Sequence, residues 1–141
     1  MRHVAMRVID MRLGSRPEAV PHARRALDDL VGVASETCLE DARLLVSELV
    51  TNSIRHSNLS AGQDIRLRAD VASDALRIEV SDPGGGFELH PRTAGAEEDS
   101  GWGLYLVGLL AERWGVTSDG STVVWFEISL RRGTEGTAPS A

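Results

Sequence analysis

The chain opens on scattered apolar positions, Val4, Met6, Val8, Ile9 and Leu13, whose spacing predicts a strand over 4–13. A helix carrying Val20, Ala23, Ala26, Leu27 and Leu30 follows. Ser15 and Glu18 have capping-box spacing, whereas Pro21 belongs in a first turn, so regular helix is expected by Pro21, ending near Gly32. Thr37 and Glu40 form a second capping-box pair and open a helix from Cys38 to about His56. Ala42, Leu45, Val46, Leu49, Val50 and Ser53 cover one broad arc of it. Glu48 and Asn52 sit at the edge of that arc and are expected to face a cleft.

Strict alternation then takes over. Ile65, Leu67, Ala69 and Val71 alternate with Arg66, Arg68 and Asp70, and Leu76, Ile78 and Val80 alternate with Arg77, Glu79 and Ser81. With Ala72-Ser73-Asp74-Ala75 between them, these are two half-buried strands of a hairpin. From Asp82 to Ser100 the chain turns to Gly, Pro, Thr and acidic residues, a loop long enough to suggest function. Leu104 to Trp114 is apolar on nearly every side and reads as a buried helix ended by Gly115. Val116-Thr117 and Thr122 to Leu130 make a closing hairpin around Asp119-Gly120. The expected organisation is one domain over 1–132 and a disordered tail over 133–141, in an α+β fold. Helices would pack on one face of a mainly antiparallel, mixed sheet.

Composition narrows the function classes. A formal net charge of −6 argues against nonspecific nucleic-acid binding through a basic surface. Every cationic side chain is Arg, so any nucleotide chemistry must proceed without a phosphate-binding lysine. The single cysteine, Cys38, excludes an internal disulfide and a cysteine metal cluster; it reads as a small, partly buried residue. No segment approaches a membrane span, and a cytoplasmic location is expected.

Glu48 and Asn52 are four residues apart on a helix, so a carboxylate and an amide project from one face. An amide oxygen is an adequate magnesium ligand when a triphosphate supplies other ligands. The carboxylate one turn earlier can orient or deprotonate a nucleophile. Asp82 ends a strand and enters the turn Pro83-Gly84-Gly85-Gly86. A buried acid there would accept a hydrogen bond from the exocyclic amine of adenine and repel the carbonyl of guanine, although such an Asp also caps turns. Gly84 and Gly86 would let the backbone pass close to base and ribose. Gly101 and Gly103 precede the helix beginning at Leu104, whose N-terminal amides suit phosphate oxygens. Thr122 would support Asp82 or a water near the base, or is a plain strand threonine. His56 reads first as a helix C-terminal residue. Trp114 and Trp125 are expected in core or interface, and Trp102, between two glycines, exposed or stacked on a partner.

The segments LLVSELVTNSIRHS, LRIEVSDPGGGF, GWGLYLVGLLAERWGV and GSTVVWFEISL resemble the histidine-kinase-like ATPase superfamily. Within it they resemble the short anti-sigma-factor serine/threonine kinases of the RsbW type, over roughly residues 4–130. The resemblance implies a Bergerat-type α/β sandwich, with ATP and magnesium as cofactors. Two protein partners are implied: an alternative sigma factor held inactive, and a STAS-type anti-anti-sigma protein phosphorylated on serine or threonine. A homodimer is also implied. By motif, Glu48 matches the catalytic base, Asn52 the magnesium ligand and Asp82 the adenine-reading acid; Gly84, Gly86, Gly101 and Gly103 match the nucleotide-loop glycines. Trp102 and the short acidic stretch Glu97-Glu98-Asp99 depart from the pattern.

Against an ATP-dependent kinase stands a nucleotide-binding interaction switch of the same fold without phosphotransfer; Glu48 favours the kinase. A two-component sensor kinase lacks support, because His22 sits in a helix too short for a dimerisation pair with an acceptor histidine.

Overall fold

The computed structural model describes residues 5–56, 63–83, 102–118 and 120–134, with the side chains of His56 and of residues 102–104 outside that description. Five strands form one sheet: β1 (Met6–Leu13), β2 (Ile65–Ala72), β3 (Ala75–Asp82), β4 (Arg113–Ser118) and β5 (Thr122–Ser129). Their order is β1-β2-β3-β5-β4, and all four pairings are antiparallel. The only parallel bridge among the described residues is the isolated pair Val31 and Ala34. Among the described residues three α-helices, α1 (Ala19–Ala26), α2 (Glu36–His56) and α3 (Trp102–Leu110), complete the α+β architecture.

Period-two alternation decides which face the helices cover. Ile9 and Leu13, Ile65, Leu67 and Ala69, Leu76, Ile78 and Val80, and Val124, Phe126 and Ile128 are all buried on one face. Against them α2 presents Cys38, Leu39, Ala42, Leu45, Val46, Leu49 and Val50, all buried. This long helix is central, touching α1, α3, β3 and β5. Cys38 is wholly buried, and burial pushes its thiol up to about 11, so it stays protonated and unreactive.

Arginines and acids tile the opposite face. Arg7 pairs with Asp70 at 2.9 Å, Arg66 grips Asp10 with two 2.9 Å bonds, and Arg77 reaches Glu127 at 3.2 Å. The hydrogen bond from Arg66 holds the Asp10 carboxyl below its usual range. Trp125 lies on this face too, half-buried beneath Arg77, whose guanidinium carbon is 4.1 Å from the ring centroid. Trp114 instead packs against the core.

Several boundaries differ from those expected. The first helix opens at Ala19, with Glu18 at its N-cap and no side-chain cap, so the Ser15–Glu18 box does not form. After Ala26 it tightens into a 3₁₀ turn, Leu27–Leu30, before Gly32 at φ +91°. The cap of α2 is Ser35, whose Oγ accepts from the Cys38 N–H at 3.1 Å, not Thr37. α3 ends at Leu110, and Trp114 and Gly115 belong to β4. Gly115 therefore ends no helix; it makes room for an aromatic ring. The loop from Gly84 to Ser100 and residues 135–141 of the expected tail lie outside the described residues.

The close approach at Gly115 is testable. A β-carbon there would lie 2.7 Å from Trp125 Nε1 and 2.9 Å from Cε2. Gly115→Ala is expected to destabilise by about 1–3 kcal/mol, the usual cost of overpacking, measured by denaturant unfolding. In a Trp125→Ala background the same change should cost nothing further; an equal cost there would refute the clash.

Candidate functional site

The second half of α2 lies over the end of the sheet where β3 finishes and β5 begins. Its apolar arc contains one hydroxyl, Ser53, which is buried like its neighbours. Ser53 Oγ donates to Asp82 Oδ2 at 3.0 Å. Asp82, the last residue of β3, is itself only 3% exposed, on the helix-covered face. An acid so placed demands polar partners, because a bare carboxylate is costly to desolvate. The serine supplies one and pins α2 to β3.

Directly across the ladder from Asp82 stands Thr122, also buried. Side chains at opposite positions of an antiparallel pair are neighbours. Among the described residues Thr122 Oγ1 has no hydrogen-bond partner, although a buried hydroxyl nearly always has one. A carboxylate acceptor and an orphaned hydroxyl thus lie side by side at one end of the core. Those groups fit an exocyclic amine with an adjacent ring nitrogen or bridging water; they do not fit a plain hydrocarbon.

Glu48 and Asn52 are half-buried on the same stretch of α2, one turn apart. With Ser53 next to Asn52 in sequence, the helix presents an amide and a carboxylate beside the hydroxyl that holds Asp82. Among the described residues no group of three or more His, Cys, Asp or Glu gathers to hold a metal. The donor chemistry offered by this stretch of α2 is one amide oxygen and one carboxylate. A separate open recess of about 350 Å³ lies at the same end of the sheet, lined by Asp82, Pro83, Gln63, Asp64 and Ser121, with Arg12 and Arg66 beside them.

The four expected side chains Glu48, Asn52, Asp82 and Thr122 thus belong to two adjoining structural units, the second half of α2 and the β3–β5 end. Gly103 and Leu104 lie in the first turn of α3, which begins at Trp102 rather than at Leu104. Gly84, Gly86 and Gly101 lie outside the described residues, as do the side chains of Trp102 and Leu104. Ser53 was missed as a site residue. The sequence did carry a signal for it: one polar position inside an otherwise apolar arc needs a buried partner.

Comparison with known proteins gives the family. A sequence model of the histidine kinase-like ATPase domain matches residues 13–128. The serine-protein kinase RsbW of Bacillus licheniformis is 29% identical over 141 residues, covering 88% of this chain and 86% of that protein. The serine-protein kinase RsbW of Bacillus pumilus is 32% identical over 144 residues, covering 89% and 87%. That of Listeria innocua is 32% identical over 87 residues, covering 60% and 55%. No helix among the described residues is long and apolar enough to cross a membrane. A match that runs from the end of β1 to the end of β5, together with relatives aligned over most of both chains, means that the chain belongs to the histidine kinase-like ATPase family, among its RsbW-type serine-protein kinases.

Proposed function

We propose that the protein binds ATP with magnesium between α2 and the β3–β5 end of the sheet and phosphorylates a serine or threonine of a STAS-type anti-anti-sigma protein. In the same reading it sequesters an alternative sigma factor, works as a homodimer and acts in the cytoplasm. The observation that carries the nucleotide site is the buried Asp82, bonded by Ser53 and facing Thr122, whose hydroxyl has no partner among the described residues. A carboxylate accepts from the exocyclic amine of adenine and repels the carbonyl that guanine has at that place.

Each side chain then has a task. Asp82 and Thr122 read the base. Asn52 offers its amide oxygen to magnesium, which takes few protein ligands when phosphates supply others. Glu48, one turn away, is placed to accept the proton of the attacking hydroxyl. Bound ATP supplies the phosphoryl group. Gly84, Gly86, Gly101 and Gly103 would line the nucleotide loop, with Leu104 behind them; in a chain without lysine, the amides at the start of α3 are the available anion donors. That its relatives are serine-protein kinases supports phosphotransfer over a switch that only binds nucleotide.

The decisive experiment incubates the chain with labelled ATP, magnesium and a co-encoded STAS protein and looks for phosphoserine or phosphothreonine on the latter. Glu48→Ala is expected to keep nucleotide affinity and slow transfer by about 10²–10⁴-fold. Asn52→Ala is expected to lose magnesium-dependent ATP binding. Unaltered transfer in the first or unaltered affinity in the second would remove that residue from its role. Nucleotide binding without any transfer by the native chain would favour the interaction switch.

Base recognition is tested separately. Asp82→Ala is expected to lower ATP affinity by about tenfold to a hundredfold, the worth of a charged hydrogen bond, and to erase preference over GTP. Ser53→Ala should shift both in the same direction by less. Calorimetry with the two nucleotides measures this; preserved selectivity in Asp82→Ala would assign base reading elsewhere.

A further inference from the structure

The backbone of residues 130–133 is fixed on the start of α2. Ser35 N–H donates to the Leu130 carbonyl at 2.7 Å, and Ser35 Oγ donates to the Arg132 carbonyl at 2.6 Å. Gly133 has φ +86° and lies so close to Thr37 that a β-carbon would be 2.6 Å from its Oγ1. From this anchored backbone the Arg132 guanidinium forks. Nη1 donates to Asp41 Oδ2 and Nη2 to Glu112 Oε2, each at 3.0 Å. Desolvation works against its charge, but the bonds to Asp41 and Glu112 outweigh it, and the group stays a cation.

Asp41 lies in the second turn of α2, and Glu112 stands just beyond the end of α3. Glu112 N–H also donates to the Glu127 carbonyl of β5 at 2.9 Å. α3 packs against α2 with its C-terminal end tied near the start of that helix, so it runs back along α2. At 1.5 Å per residue, Asp41 to Asn52 spans about 16 Å and Trp102 to Leu110, the end of α3, about 12 Å, with two further residues to Glu112. Running antiparallel to α2, the first turn of α3 would come toward Glu48 and Asn52. Apolar contact alone would hold it loosely: Val107 is fully buried, Leu109 is 61% exposed, and hydrophobic attraction has no direction. A forked ion pair does fix axial position.

We infer that Arg132 is a positioning residue for the phosphate end of the nucleotide site, setting where the N-terminal turn of α3 stands against Asn52 by tying the other end of α3 to α2. The inference rests on the nucleotide reading given above. Losing the guanidinium does more than untie the helix, because it leaves two carboxylates drawn together without their shared cation. The base-reading groups Asp82, Ser53 and Thr122 belong to α2 and the sheet and are not held through Arg132.

Arg132→Met keeps the stem and removes the fork, in the full chain. It is expected to weaken MgATP binding by about fivefold to thirtyfold while leaving adenosine binding unchanged, a coupling-sized effect. Glu112→Gln should have a similar effect, and the double variant should be no worse than Arg132→Met, since the bridge acts in series. Arg132→Lys, able to hold one carboxylate, should recover part of the loss. In the nucleotide-free protein, amide exchange over α3 should quicken in Arg132→Met while β2 and β3 keep their protection. Unchanged MgATP affinity with unchanged exchange would overturn the inference. An equal fall in MgATP and adenosine affinity with loss of thermal stability would also overturn it. If the native chain binds neither ligand, the nucleotide reading fails, and the exchange measurement alone decides the tether.

Discussion

A carboxylate brought almost wholly out of water at the end of a sheet is the most demanding group in this fold. Asp82 is stabilised in that place by polar contacts, one of them from Ser53 on another element. The bond spans the gap between helix layer and sheet, so it sets how far the second half of α2 can stand from β3. Asn52 is the residue before Ser53, and Glu48 lies one turn earlier. Their position above the end of the sheet follows from that contact. A leucine at 53 would pack as well as its neighbours, but it would take one hydrogen bond from the buried acid.

The two faces of the sheet solve different problems. The covered face is built from Ile, Leu, Val and Phe in strict alternation, and its burial against α2 supplies the bulk of the stability. The open face carries Arg–acid pairs strung across the strands, each worth little at the surface. What the open face gains is order. Arg77 bonds Glu127 and Glu79 and lies over Trp125, while Trp125 lies over Gly115, so two stacked side chains link three strands. Arginine suits this role better than lysine because its planar fork serves two acceptors and a ring at once.

The alternating strands and the long amphipathic α2 were legible because their periods are clear over eight or more residues, and the edge position of Glu48 and Asn52 followed from the helical period alone. The reading failed where periodicity falls silent. Leu104 to Ala111 is a nearly continuous apolar run, which cannot distinguish helix from strand, and the first two residues of β4, Arg113 and Trp114, were absorbed into the helix before it, whereas Val116 and Thr117 were read as strand. Gly115 then looked like a stop signal, when its reason is the ring of Trp125 across the ladder. The cap of α2 was assigned to Thr37 on a capping box, yet Ser35 takes that role because its hydroxyl also meets the carbonyl of Arg132, a partner far along the chain. Local rules cannot anticipate such a partner. Ser53 was visible only as an exception inside an apolar arc; its meaning needed Asp82 to be brought beneath it.

Both ends of α2 are fixed by polar contacts, through Ser35 and the Arg132 backbone at one and through Ser53 and Asp82 at the other. The helix is therefore part of the rigid floor, together with β3 and β5. α3 has a different standing. Its forked tie is at its far end, where the Glu112 N–H also meets the Glu127 carbonyl, and much of the rest of its contact with the core is apolar. In the proposed site these parts would divide the work: the base would be held by rigid groups on α2 and the sheet, and the phosphates would be met by the start of α3. That division would suit phosphotransfer, where the base stays fixed while charge moves at the opposite end of the nucleotide. On the same proposal, a change at Arg132, some three helical turns from Asn52, would act on the phosphates and not on the base.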